Sequence, residues 1–168
     1  MYTVVLSTRA TRELRKLEKD AQQKIATTLD LLSEEPRPPK AVALKKEKRV
    51  YRVRVGNYRI LYEVVENELI VWVIRVAHRK NVYKRMMTTL TTVELRANLA
   101  DVLGRVRHGH ERIVITKSGK PVAGLIPYDE LEAIEALEDQ LDREALSEAR
   151  ADGGRHLLKE VKKELGLD

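Results

Sequence analysis

The chain has 168 residues, 43% of them hydrophobic, and no cysteine. That length fits one ordinary domain or two small ones, and the missing cysteines exclude disulfides and thiolate metal sites, as suits a reducing compartment. The net charge of +6 is unevenly spread: residues 1–85 hold 20 Lys and Arg against 10 Asp and Glu, 86–126 hold 6 against 3, and 127–168 hold 6 against 13. A basic first half predicts a polyanionic partner, most often nucleic acid. An acidic tail predicts a basic surface to sit on, and the first half is the obvious candidate. The longest apolar run, LIVWVI at 69–74, is far too short to span a membrane. The N-terminal MYTVVLSTRATRE lacks the apolar region of a signal peptide. These features predict a soluble cytoplasmic protein with no membrane contact.

In chain order, TVVLS at the N-terminus is a candidate strand. Thr8 is placed to cap a helix over about 9–19 whose apolar face holds Leu14 and Leu17. Arg9, Arg12, Lys16 and Lys19 form a basic stripe on it, extended in sequence by Lys45, Lys46 and Lys48. A second helix from about 21 carries Ile25, Leu29 and Leu32 at i, i+4 and i+7, and PRPP at 36–39 stops it. The period then changes to two. VYRVRVGNYRILYEVVENELIVWVIRVA reads as three strands with turns at Gly56-Asn57 and Glu66-Asn67. A two-residue loop at Gly56-Asn57 pairs Val55 with Tyr58 and Arg54 with Arg59. Like charges directly opposite in a sheet are unfavourable, and bound phosphates would reverse the sign of that effect. The expected fold of this half is α+β, a helical hairpin packed on an antiparallel sheet.

RVYRVRVGNYRILYEV followed by VIRVAHRKNVYKR resembles the RelE-type toxins, small ribosome-dependent endoribonucleases, and the likeness spans 1–85. The resemblance implies metal-independent cleavage of mRNA on the ribosome, with the 2′-hydroxyl attacking the adjacent phosphate to leave a 2′,3′-cyclic phosphate. It places Arg52 and Arg54 among basic catalytic or RNA-binding positions, Arg59 and Arg79 at phosphate-stabilising positions, and Tyr83 at the C-terminal tyrosine. Some family members have lysine where this chain has Arg52 and Arg54. An arginine does not give up its proton at neutral pH, so acid–base work falls to Tyr83 or to His78. The four histidines, at 78, 108, 110 and 156, are scattered with no carboxylate cluster beside the arginines. No metal and no cofactor is expected.

From Met87 the pattern restarts. TTVELRANLADVLGRVRHG places Val93, Leu95, Leu99, Val102, Leu103 and Val106 on one long helix, capped near Thr91 or Thr92. RIVITKSGKPVAGLIP predicts a hairpin of strands 112–116 and 121–126, and YDELEAIEALEDQLDREALSEARA predicts an acidic helix with Leu131, Ile134, Leu137 and Leu141 in register. Gly153-Gly154 breaks it, and a last short helix carries Leu157, Leu158, Val161 and Leu165.

TTVELRANLADVLGRV, ITKSGKPVAGLIPYDELEAI and the acidic remainder resemble the Phd/YefM antitoxins across 87–168. The resemblance implies an α/β domain at 87–126 that dimerises and binds operator DNA, so that the protein is a homo-oligomer. It implies a tail at 127–168 that covers a toxin, within the chain or in a neighbouring one. By matched position Arg96 and Asn98 are candidate DNA contacts, with Thr88, Thr89, Thr91 and Lys117 toward the backbone. Leu131, Ile134, Leu137, Leu141, Leu157, Leu158 and Val161 are the candidate toxin-covering positions.

The leading expectation is a toxin and its antitoxin in one polypeptide, with ribosome and mRNA as partners of one half and operator DNA of the other. Two alternatives stay open: a transcription regulator whose first half is catalytically inactive, and an artificial joining of two separate proteins. Between Arg85 and Met87 there is no Gly/Ser or Pro spacer, so any linker is a residue or two.

Overall fold

The computed structural model describes residues 1–78 and 87–167; Arg79 and Tyr83 lie outside them. In chain order the elements are β1 (Thr3–Leu6), α1 (Thr8–Arg15), α2 (Lys19–Glu34), β2 (Val42–Ala43), β3 (Val50–Val55), β4 (Tyr58–Val65) and β5 (Ile70–His78). They continue as β6 (Thr88–Thr91), α3 (Thr92–Ala97), α4 (Leu99–Gly109), β7 (Ile113–Lys117), β8 (Lys120–Leu125), α5 (Tyr128–Asp152), β9 (His156–Leu157) and α6 (Leu158–Leu165). These form two compact units: Met1–Lys80 together with Asp139–Asp168, and Asn81–Glu138. Both mix helix and strand.

In the first unit Ser7, rather than the expected Thr8, caps α1. Its Oγ accepts from the Ala10 amide at 3.0 Å and donates to the Ile74 carbonyl at 2.7 Å. Ser7 is buried at the end of β1, so one hydroxyl starts the helix and ties it to β5. The strands run in the order β2-β3-β4-β5-β1-β9. The β3–β4–β5 meander is antiparallel, with Val55 opposite Tyr58 and Arg54 opposite Arg59 around the two-residue loop. Gly56, at φ 56°, supplies the turn conformation that side chains disfavour.

The wholly antiparallel expectation is corrected at β1, which pairs parallel with β5. The chain leaves β1, crosses the sheet as two helices and returns at the far edge. β1 therefore meets the last strand of the meander running the same way. Alternation identifies strands; it does not say which ones become neighbours.

One face of the sheet carries α1 and α2. Ala10, Leu14, Ile25, Leu29 and Leu32 pack there on Val53, Ile60, Tyr62, Val64, Val71, Val73 and Val76. The other face holds a second cluster of Val5, Leu44, Val50, Leu61, Trp72 and Ile74.

The second unit has a three-stranded sheet, β6-β7-β8, with β6 parallel to β7 and β8 returning antiparallel. Ser118 and Gly119, at φ 51° and 74°, make the two-residue turn. The Thr88–Thr91 run that forms β6 is too short to show alternation, although its threonines are β-branched. The single long helix is corrected to two. α3 ends at Ala97, Asn98 sits at φ −128° and ψ 31°, and its side-chain amide donates to the Glu94 carbonyl at 3.2 Å. A short amide that bonds the backbone in this way competes with helix propagation. Val102, Val106, Ile113 and Ile115 form the core of this unit, whereas Val93, Leu99 and Leu103 are exposed.

Candidate functional site

Strand register sets one sheet face apart from the rest. Arg52 lies opposite Leu61, Arg54 opposite Arg59, and Leu61 in turn opposite Arg75. Residues directly opposite share a face, so four arginines stand on the side that carries the Leu61–Trp72–Ile74 cluster.

Arg75 reaches this face through an irregularity. Leu61 pairs with Arg75 but Tyr62 pairs with Val73, so Ile74 is an extra residue on β5. Strict alternation would put Arg75 with Val71 and Val73 beneath the helical hairpin. The bulge turns it to the other side, where Ile74 also packs. For this reason a period-two reading of VWVIRVA did not single it out.

Two carboxylates of α5 enter the arginine cluster. Asp139 Oδ1 accepts from Arg52 Nη1 at 2.7 Å. Asp142 has its Oδ2 3.6 Å from Arg52 Nη1 and 3.9 Å from Arg59 Nη1, and its Oδ1 3.8 Å from Arg75 Nη1. Asp142 is 2% exposed, Asp139 6% and Arg59 8%, so these charges are held largely out of water. On the far side of Arg75, Glu13 lies 3.8 Å from its Nε and accepts the Val76 amide at 2.8 Å. Buried charges of one sign this close together are tolerable only because the other sign is packed among them.

The same stretch of α5 is apolar where it passes the sheet. Ala145, Leu146 and Ala149 join the Leu61–Trp72–Ile74 cluster. The alanines let the helix approach closely, and full burial of Leu146 contributes roughly 1.5–3 kcal/mol. Gly153, at φ 67°, ends the helix. β9 then adds antiparallel to the edge strand β1, with Val5 opposite Leu157 and Leu6 opposite His156. α6 follows on the helical-hairpin face, where Leu158 and Val161 enter the core. Residues 139–167 thus cover one sheet face, one edge and part of the other face.

Ion pairs between this strap and residues 1–78 run in both directions. Tail acids meet first-half cations in Arg15–Glu164 at 2.6 Å and Arg9–Glu148. Tail cations meet first-half acids in Arg155–Glu68 at 2.8 Å, Lys162–Asp30 at 2.9 Å and Arg150–Glu63 at 3.3 Å. Exposed pairs of this kind contribute little individually, but both signs on both surfaces fix the register of the strap.

Of the residues singled out by sequence, Arg52, Arg54 and Arg59 are brought together, with Arg54 exposed at the open side. His78 ends β5 on the other face, edge-on to the Tyr58 ring at 5.0 Å, away from the arginines. Arg79 and Tyr83 fall outside the described residues. In the basic stripe Arg9 is paired with Glu13 and Glu148, and Lys19 donates to the Leu165 and Gly166 carbonyls, at 3.0 Å for the latter. Arg12, Lys16, Lys45, Lys46 and Lys48 are exposed.

The seven apolar positions of the tail divide. Leu157, Leu158 and Val161 pack on the first unit. Leu131, Ile134 and Leu137 belong to the second unit, and Leu141 is 42% exposed. Asp139, Asp142, Ala145, Leu146 and Ala149 form the seated face of α5, which a search for leucines at helical spacing passes over.

In the second unit Thr88 and Thr89 lie on β6, and Thr91 caps α3 in a capping box: its Oγ1 accepts from the Glu94 amide while Glu94 accepts from the Thr91 amide at 2.7 Å. Arg96 is exposed in the last turn of α3, Asn98 follows at the junction, and Lys117 ends β7 opposite Lys120. Among the described residues, no group of three His, Asp or Glu is placed to hold a metal ion, and no helix is long and apolar enough to cross a membrane.

Comparison with known proteins divides the chain at the same seam. Residues 4–83 match the family described as ParE toxin of type II toxin–antitoxin systems, and 87–160 match the Phd/YefM antitoxin family. A protein of Methanocaldococcus jannaschii named as toxin RelE1 is 27% identical over 86 residues, 49% of this chain and 96% of that one. A chain of the intact E. coli RelBE toxin–antitoxin complex is 26% identical, covering 48% of this chain and 100% of that one, with a TM-score of 0.44. A chain of the RelBE2 complex of Mycobacterium tuberculosis is 32% identical, covering 46% and 98%, with a TM-score of 0.43.

Proposed function

The chain joins a ParE/RelE-type toxin domain at residues 4–83 to a Phd/YefM antitoxin domain at 87–160, and we propose that it is a ribosome-dependent mRNA endoribonuclease held inactive by its own tail. The observation that carries this reading is the seating of Asp139 and Asp142 among Arg52, Arg59 and Arg75. A face built to hold anionic oxygens is filled by the carboxylates of the segment that the antitoxin family supplies.

In the proposed reaction the RNA 2′-hydroxyl attacks the adjacent phosphate, and the 5′-oxygen of the next nucleotide leaves as a 2′,3′-cyclic phosphate forms. The arginines stabilise the added negative charge of the phosphorane. They do not exchange protons at neutral pH, so removal of the 2′-proton and protonation of the 5′-oxygen need other groups. His78 stands on the far face of the sheet beside Tyr58, which leaves Tyr83 as the proposed proton-transfer residue of this chain. Arg12, Lys16, Lys45, Lys46 and Lys48 would follow the RNA and ribosome backbone, with Arg9 and Lys19 joining once the tail is displaced.

The second unit is proposed to bind operator DNA as a dimer. Exposed Val93, Leu99 and Leu103 offer an apolar face for a second copy, and Arg96 an exposed cation for the groove.

Expression of residues 1–85 and of the full chain in parallel tests the proposal. Growth arrest and cleavage of ribosome-bound mRNA are expected from 1–85 and not from the full chain. A harmless, non-cleaving 1–85 defeats the enzyme reading. Equal cleavage by both defeats self-inhibition.

A further inference from the structure

Arg75 has no part in the site drawn from sequence, yet the fold spends a bulge to put it there. One extra residue, Ile74, carries the side chain from the hairpin core to the arginine face. An arginine is costly in a strand that is otherwise buried on both sides, and a bulge interrupts the ladder beside it. Arg52, Arg59 and Arg75 come from three adjacent strands and converge on one carboxylate. Asp142 is within 4 Å of all three, at 3.6, 3.9 and 3.8 Å. Three guanidinium groups within 4 Å of one buried carboxylate make a concentrated positive pocket, and the N–H groups of arginine suit phosphate oxygens.

From this convergence we infer that Arg75 is a direct phosphate ligand of the RNA site, and that Asp142 occupies the position of that phosphate in the closed chain. Arg59 sits at the middle strand, with Arg52 and Arg75 on either side in register with Leu61. Glu13 Oε1 lies 3.8 Å from Arg75 Nε, and Arg75 Nη1 lies 3.8 Å from Asp142 Oδ1. RNA phosphate and the Asp142 carboxylate are then alternative occupants of one place, and the tail excludes substrate by charge as well as by bulk. This inference rests on the ribonuclease reading and adds to it a residue and the identity of the competing group.

The test uses the full chain with a short single-stranded RNA carrying a 2′-deoxy nucleotide, so that binding is read without cleavage. In an opened variant, Asp139→Ser/Asp142→Ser/Leu146→Ser, affinity is expected to rise at least tenfold over the parent chain. Trp72, the only tryptophan, shares an apolar cluster with Leu146 and has the Arg155 guanidinium 5.4 Å from its ring centroid, so it reports the opening by a red shift of its emission. Adding Arg75→Gln to the opened variant is expected to weaken binding about tenfold and to flatten the dependence of log Kd on log salt by about 0.7, the value for one phosphate contact on a single strand. Lys24→Gln, on the exposed side of α2, removes the same charge and serves as the control. Arg75→Lys, which keeps the charge, should recover part of the affinity and guards against a folding defect.

If Arg75→Gln matches Lys24→Gln in affinity and slope while Arg59→Gln is weaker than both, the assignment of Arg75 is overturned and the ribonuclease reading stands. If the opened variant binds no better than the parent, Asp142 does not occupy the phosphate position. If it binds no RNA at all, the assignments of Arg75 and Asp142 both fall, while the ribonuclease reading, which concerns mRNA on the ribosome, is decided by cleavage of ribosome-bound mRNA by residues 1–85.

Discussion

Thr8 donates a hydrogen bond of 2.6 Å to Asp152 across 144 residues of sequence, and the two side chains close over the backbone of Gly154. A Cβ at Gly154 would overlap Thr8 Oγ1 and crowd Asp152. Glycine is required here by close approach and not by backbone angle. Gly154→Ala is therefore expected to cost about 1–3 kcal/mol through overpacking, seen as a lower Tm and a red-shifted Trp72 emission. Thr8→Ala makes room, so the double variant should be more stable than Gly154→Ala alone. A Gly154→Ala chain as stable as the parent would show that no clash exists.

The Arg52–Asp139 pair is short, at 2.7 Å, and mostly shielded from water. Removing either partner leaves the other charge partly buried, so each single alanine variant should destabilise the chain. The double variant should cost less than their sum, with a coupling of ~1–3 kcal/mol by denaturant unfolding. Salt should change that coupling little, because buried pairs are weakly screened. Additive effects would place the pair in solvent.

The Thr91–Glu94 capping box gives the second unit a pH signature. The Thr91 backbone N–H, and then its hydroxyl, hold the Glu94 carboxyl below its ordinary value of 4.5. A depressed folded value means that the stabilisation is present above the unfolded value and lost as pH falls through the folded one. The parent should therefore lose more stability than Glu94→Gln does when pH drops below about 4.5. At neutral pH Thr91→Ala should cost ~1 kcal/mol, as helix caps typically do. Parallel acid profiles for the parent and Glu94→Gln would remove the Glu94 carboxyl as the cause.

For DNA binding the two candidates on the α3–α4 segment should separate. Arg96 is exposed, so Arg96→Ala is expected to reduce operator affinity about tenfold in a gel shift while Tm stays unchanged. The Asn98 side chain is tied to the Glu94 carbonyl at 3.2 Å, so Asn98→Ala should lower Tm as well. An Arg96→Ala chain with unaltered binding would remove this residue from the interface.

Much of the arginine site could be read from local pattern. Arg52, Arg54 and Arg59 follow from alternation around a two-residue turn, and the Arg54–Arg59 pairing appears in the register as expected. Arg75 was illegible because its side depends on where a bulge falls, and a bulge is set by the pairing of β4 with β5. Asp139 and Asp142 were illegible for a different reason. On an acidic helix every carboxylate looks solvated until its neighbours are known, and the leucine stripe drew attention to Leu131, Leu137 and Leu141, which stay exposed.

Sequence by itself determined the two halves, their opposite charge, the meander and its turn, and the basic character of one sheet face. These depend on composition, on periodicities of two and 3.6, and on turn chemistry, all of which act over a few residues. Only the tertiary structure decided that β1 runs parallel to β5, that Ser7 rather than Thr8 starts α1, and that Asn98 divides a helix. It also decided that Asp142 stands among Arg52, Arg59 and Arg75. Each of these rests on contacts between distant parts of the chain, or on a side chain that outcompetes a weak local preference, and no local period encodes such a contact.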